Sequence, residues 1–151
     1  MRLYLVQHGE AKAENVDPDR PLTDRGAEDV RRVAGYAVRQ LGVRPTRLVH
    51  SGRTRARQTT DIWGELLEVR PEEAEGLDPN GDPATWVERL QHETADLLLA
   101  GHLPHLARLA GALLAGEPDR PAVRFRPGGL VGLERADPGW VLWALLPPDG
   151  D

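Results

Sequence analysis

Short apolar runs alternate along this chain with longer stretches in which apolar residues recur every three to four positions. The first run, Leu3-Tyr4-Leu5-Val6, stops abruptly at Gln7-His8-Gly9-Glu10 and predicts a buried strand over 2–7. Residues 8–22 are polar and carry Pro18 and Pro21, which makes them a loop. Thr23 or Asp24 can cap a helix running to about Leu41. Val30, Val33, Ala34, Ala37, Val38 and Leu41 fall on one face of it, Gly42 suits its C-cap, and Pro45 lies just beyond. Arg47-Leu48-Val49-His50 predicts a second strand, ended by Ser51 and Gly52, and a helix from about Arg53 to Leu67 follows. Residues 68–82, rich in Pro, Glu, Gly and Asp, read as a surface connection with a short strand near Glu73 to Glu75. Pro83 suits the first turn of a helix reaching about Gln91. Asp96 to Ala100 predicts a buried strand, after which Gly101-His102-Leu103-Pro104 opens a helix ending near Gly116. Two or three strands close the chain, at Ala122–Phe125, Leu130–Arg135 and Trp140–Leu146.

Strands separated by helices imply an α/β fold with three layers, α/β/α. The central sheet is expected to be mostly parallel, with helices on both faces, and the closing strands add an antiparallel edge. With 151 residues and no internal linker or repeat, the expectation is one domain over 1–151.

Composition narrows the chemistry. Cysteine is absent, which excludes a disulfide framework, thiol catalysis and a cysteine-ligated metal. The apolar runs are far shorter than a membrane helix, and the first residues lack a charged segment followed by a long apolar one, so the expected location is cytoplasmic and no membrane partner is expected. A formal charge of −5 argues against a general nucleic-acid binder.

Three predicted strands end in polar residues: His8, then Ser51 with Arg53, Arg55 and Arg57, then His102. In a parallel sheet these ends share one edge, where α/β proteins place their ligands. Gly9 allows a tight turn and the close approach of a ligand. His8 is a candidate nucleophile, because imidazole can carry a phosphoryl group. Two histidines with arginines near helix N-termini suit a phosphate dianion. By the same reading Ser51 is an N-cap or turn residue and Thr23 a cap. Arg53 and Arg57 are surface residues, and His50, His92 and His105 are bystanders. His102 and His105 have the spacing of a metal-ligand pair, but no third ligand is evident, and no metal or other cofactor is expected. The four tryptophans suit packing, with Trp86 a candidate for the pocket mouth.

Four stretches in order resemble the histidine phosphatase (phosphoglycerate mutase-like) superfamily, and within it the short SixA-type phosphohistidine phosphatases. They are LYLVQHGEA, then Arg20-Pro21-Leu22-Thr23 with Gly26, then Ser51-Gly-Arg-Thr-Arg55-Ala56-Arg57-Gln58-Thr59, and Gly101-His102-Leu103-Pro104. The resemblance implies a phosphoglycerate mutase-like fold and a phosphatase that passes phosphate through a covalent phosphohistidine on His8. It implies that Arg55 holds the phosphoryl oxygens, that His102 stabilises them in the transition state, and that Arg20 faces the phosphate pocket. It further implies hydrolysis by water without a metal. The implied substrate is phosphohistidine on a phosphotransfer or phosphocarrier protein, with a small phosphate ester second.

The chain departs from the pattern at Gln7, where the superfamily has arginine. Glutamine can donate a hydrogen bond but brings no charge. A charge-assisted bond contributes about 1.5–3 kcal/mol against about 1 for a neutral one. The departure therefore implies slower turnover unless Arg20, Arg53 or Arg57 compensates. Because Gln7 replaces the superfamily's arginine, the resemblance also gives an alternative reading, a catalytically weakened member that binds phosphate or a phosphoprotein. For a general acid the sequence leaves Glu10, Asp24, Asp78 and Asp82 open.

Overall fold

A computed structural model describes residues 1–148; residues 149–151 of the expected 1–151 domain lie outside the described residues. Strand β1 (Arg2–Gln7) is followed by α1 (Asp24–Leu41), β2 (Arg47–His50), α2 (Thr54–Leu67), β3 (Glu72–Glu73) and α3 (Pro83–His92). Then come β4 (Leu97–Gly101), α4 (His105–Ala115), β5 (Leu130–Arg135) and β6 (Trp140–Leu146). One six-stranded sheet has the order β3-β2-β4-β1-β5-β6, parallel from β3 to β1 and antiparallel at β5 and β6.

Alternation along the central strands builds the layers. Leu3, Leu5, Leu97 and Leu99 point into one cluster with Trp86 and Leu90 of α3 and Leu106 and Leu109 of α4. Tyr4, Val6, Leu48 and Leu98 point into the other, with Val30, Val33, Ala34 and Ala37 of α1 and Trp63 of α2. Strands buried on both faces read as unbroken apolar runs, which is why LYLV and LLLA were visible as strands. Among the described residues no helix is long and apolar enough to cross a membrane.

The ends of α1 follow the sequence. Thr23 is the N-cap, its side chain accepting from the Gly26 N–H at 2.9 Å, and Gly42 at φ 67 is the C-cap. Three expectations are corrected. Residues 122–125 form no strand: Phe125 is buried and Val123 packs against the same core, so burial is met without backbone pairing. Pro121 and Pro127 bracket the segment, and their missing N–H groups disfavour a ladder there. The short third strand is Glu72–Glu73 rather than Glu73 to Glu75, because pairing ends with His50 of β2 opposite Glu73. Trp86 lines no pocket mouth; it is 3% exposed in the core, and its Nε1 donates to the Glu75 carbonyl at 2.9 Å.

Candidate active site

Register brings the two histidines together. In the parallel β1–β4 ladder Gln7 pairs with Gly101, and the next step is a bond from His8 N–H to the Gly101 carbonyl at 3.0 Å. His8 and His102 therefore leave adjacent strands side by side, with ring centroids 5.0 Å apart. Strand β2, paired to the other edge of β4, delivers Ser51 to the same place: its Oγ is 2.6 Å from His102 Nε2.

The segment after β1 is clamped from two sides. Gly9 N–H donates to Thr59 Oγ1 of α2 at 3.1 Å, and Thr59 Oγ1 donates to the Arg55 carbonyl at 2.8 Å. A Cβ on Gly9 would lie 2.9 Å from Val30 Cγ2, so glycine is required here for the approach of α1, and its N–H is already engaged by Thr59. A Cβ on Gly26 would lie 2.1 Å from the Glu10 carbonyl oxygen, so the first turn of α1 presses directly on the same segment. Gln58 Oε1 accepts the Leu22 N–H at 2.8 Å and holds the Pro-Leu-Thr stretch to α2. The Gln-Thr pair of the third motif is thus a double clamp on the two loops around His8.

His8 Nδ1 donates to the Gly9 carbonyl at 2.7 Å. A carbonyl only accepts, so Nδ1 carries the proton, and the neutral ring leaves Nε2 with a free lone pair. Burial, with the charges of Arg55 and Arg20 adding, holds the His8 pKa down to about 4. His102 is 1% exposed; burial first, then His8, Arg55 and Arg53, lowers it to about 3 against the opposing pull of Asp78. Both rings are neutral at physiological pH in the free protein.

Arg55 lies in the first turn of α2 and is 8% exposed. Among the described residues its Nε has no hydrogen-bond partner, and no carboxylate forms a salt bridge with it. Burial and the charges of Arg20 and Arg53 lower its pKa, yet a guanidinium remains charged. A buried, unpaired cation at a helix N-terminus, with no acidic residue in that first turn, is an arrangement that suits an anion. Arg20 has φ 48, an uncommon backbone for arginine, and its Nε donates to the Lys12 carbonyl at 3.0 Å. Its charge is felt at both His8 and Arg55.

The sequence missed two features. Ser51, expected as an N-cap or turn residue, is in the turn, accepting the Arg53 N–H at 3.3 Å, and not the cap of α2, which is Arg53 without a side-chain cap bond; what the sequence did not show is its contact with His102. Arg53 is at the surface, as expected, but its Nε pairs with Asp78 Oδ1 at 3.0 Å and its charge reaches His102 and Arg55. The four candidate carboxylates separate. Asp82 caps α3 by accepting the Ala84 N–H at 3.0 Å, and Glu10 Oε1 accepts from Thr23 Oγ1 at 2.8 Å. Asp24 sits in the first turn of α1, and Asp78 is the one whose charge is felt by both His102 and Arg55. At position 7 the Gln7 carbonyl accepts the Gly128 N–H at 2.9 Å, while its side-chain Oε1 is buried with no partner among the described residues.

A three-layer α/β fold that gathers two neutral imidazoles and a buried, unpaired arginine at the strand ends has chemistry suited to a tetrahedral oxyanion. The sequence profile of the histidine phosphatase superfamily (branch 1) matches residues 3–80, and the chain belongs to that superfamily of phosphatases. No curated protein matches it in a sequence search. Among solved structures it is similar to the protein histidine phosphatase SixA complexed with tungstate, at 24% identity and TM-score 0.86, covering 99% of this chain and 98% of that one. A candidate phosphohistidine phosphatase SixA from Agrobacterium tumefaciens is 25% identical with TM-score 0.77 and 96% of each chain covered. A phosphoserine phosphatase from Entamoeba histolytica, in complex with 3-phosphoglyceric acid, is 17% identical with TM-score 0.70 and 96% of each chain covered.

Proposed function

We propose that this chain is a SixA-type phosphatase that removes the phosphoryl group from phosphohistidine on a protein through a covalent intermediate on His8. The observation that carries the reading is the free lone pair on His8 Nε2, fixed by the Nδ1–Gly9 bond and set beside His102 and Arg55.

The steps balance without a side-chain acid. His8 Nε2 attacks phosphorus, and the bond to the substrate imidazole breaks. That imidazole leaves neutral when its other nitrogen holds a proton, and the His8 ring takes up the positive charge with Nδ1–H still on the Gly9 carbonyl. Water then attacks the phosphorus, His8 leaves as neutral imidazole, and both water protons depart with phosphate as the monoanion. Arg55 and Arg20 hold the equatorial oxygens, and His102 stabilises them as charge builds once its Nε2–H turns from Ser51 Oγ to a phosphoryl oxygen. Arginine and histidine meet the charge of the anion, and the mechanism routes no step through a metal.

This chemistry favours phosphohistidine over phosphate esters. An alkoxide leaving group needs a proton from a positioned acid, whereas an imidazole already carrying one does not. Among the carboxylates, Asp78 is the best placed to protonate an ester leaving group, but it is tied to Arg53. A phosphorylated protein of the phosphotransfer or phosphocarrier type is the proposed partner, with a small phosphate ester second.

The test is phosphate release from a phosphohistidine carrier protein by the native chain, His8→Ala and Gln7→Arg. Release that disappears in His8→Ala supports the reading. Alkyl phosphomonoesters turned over as fast as the carrier would overturn the substrate class. A second reading, phosphate or phosphoprotein binding with little turnover, is favoured by the uncharged side chain of Gln7, whose Oε1 has no partner among the described residues. It is selected by a native chain that binds phosphate, releases none, and gains activity as Gln7→Arg.

A further inference from the structure

We propose that Arg53 supplies the cation that position 7 lacks, leaving Asp78 for the phosphoryl group when the anion binds; this rests on the phosphatase reading above. The sequence offers three arginines for the task, and the structure separates them. Arg57 is exposed on α2, and its charge is felt at His50 rather than at the paired histidines. Arg20 stands on the His8 side, with one of its nitrogens already bonded to the Lys12 carbonyl. On the His102 side the charges felt are those of Arg55 and Arg53 and not that of Arg20, and Arg53 is the second cation built into it. Its backbone N–H donates to Ser51 Oγ at 3.3 Å, and that same oxygen is 2.6 Å from His102 Nε2. Gly52, at φ 89, makes the turn that brings Arg53 back over Ser51.

What holds the Arg53 side chain away is weak. Its pair with Asp78 has side chains 48% and 64% exposed, a class of ion pair that contributes little. Both backbones are held, with the Asp78 carbonyl accepting the Gly81 N–H at 2.9 Å and the Arg53 carbonyl accepting the Arg57 N–H at 2.9 Å, but the arginine has the longer side chain with more rotatable bonds. The arginine is therefore the partner free to move. A phosphoryl dianion offers a guanidinium more charge and more oxygens than one exposed carboxylate does. The Arg53 charge already bears on His102 and Arg55 in the free protein.

A double-mutant cycle between positions 7 and 53 tests this. Inorganic phosphate binding is measured by titration calorimetry for the native chain, Arg53→Ala, Gln7→Arg and the double variant. Release from the phosphohistidine carrier is measured in parallel. Arg53→Ala is expected to weaken phosphate binding about tenfold when residue 7 is glutamine, the scale of one charge-assisted bond. With arginine at position 7 the same change is expected to cost less than about threefold, because the two cations do one job. Equal losses in both backgrounds, or a loss under about twofold in the native one, overturn the proposal. So does phosphate binding that appears only as Gln7→Arg. Strong coupling in a native chain that releases no phosphate sustains the role of Arg53 while the phosphatase reading falls. Release by the native chain with no coupling does the reverse.

Discussion

Ser51 Oγ stands 2.6 Å from His102 Nε2, although the two residues are 51 positions apart in the chain. Ser51 Oγ also accepts the Arg53 N–H, while His102 Nδ1 is buried without a partner. A bare nitrogen lone pair is cheaper to bury unpaired than an N–H, which favours the proton on Nε2. With the proton on Nε2, Ser51 Oγ is its acceptor, and Ser51 thus fixes the orientation of the His102 ring beside His8.

Removing that hold is expected to affect turnover more than binding. Ser51→Ala should lower kcat about fivefold to tenfold with KM changed far less, on the scale of one neutral hydrogen bond, and Ser51→Thr should restore most of it. Steady-state kinetics on the phosphohistidine carrier check this. A fall in kcat/KM carried by KM alone would make Ser51 a turn residue and nothing more.

Acid should destabilise this protein. The pKa values of His8, His102, His50 and His105 are all lowered from 6.5 in the folded chain, chiefly by burial. As pH falls below that value the unfolded chain takes up protons that the folded one refuses, so stability is complete above about pH 7 and declines toward pH 4. Urea midpoints between about pH 8 and pH 5 should fall on acidification, beginning near the ordinary histidine range. Because His8 stays neutral, the acid limb of kcat/KM is expected well below 6.5 and near 4.

Thr59 ties the His8-Gly9 segment to α2 by accepting the buried Gly9 N–H, while its own hydroxyl donates to the Arg55 carbonyl within α2. Thr59→Val keeps the shape but strands the Gly9 N–H, and should cost about 1–3 kcal/mol of stability. Denaturant unfolding reads the loss. Activity should fall with it, since the Gly9 carbonyl that orients His8 belongs to the same segment.

His105 is fully buried, and both ring nitrogens lack hydrogen-bond partners among the described residues. His105→Leu replaces an unpaired polar ring by an apolar side chain and should raise stability by about 1–2 kcal/mol. It should also shrink the acid sensitivity described above. A lower melting temperature in the variant would show that the ring is satisfied in place.

Much of this was legible in the sequence because it is written locally. Thr23 and Gly42 announce the ends of α1 through backbone groups that only they satisfy nearby. LYLV and LLLA announce central strands because a strand covered on both faces needs every side chain apolar. The strand-end positions of His8, Arg55 and His102 follow from those strands and the helices after them. Residues 122–125 misled for the complementary reason: their alternation reports burial, and burial of Val123 and Phe125 was met by packing without a strand partner.

Local pattern was enough for the four helices, the central strands, the layers and the set of polar side chains at one sheet edge, since each depends on neighbours within a few residues. Tertiary structure alone decided what those side chains do to one another. The β1–β4 register set His8 against His102, β2 brought Ser51 to His102, and the loop before α3 gave Arg53 its partner Asp78. These are pairings between distant segments. They depend on ångström-scale placement of whole strands and helices, which no local pattern of residues encodes.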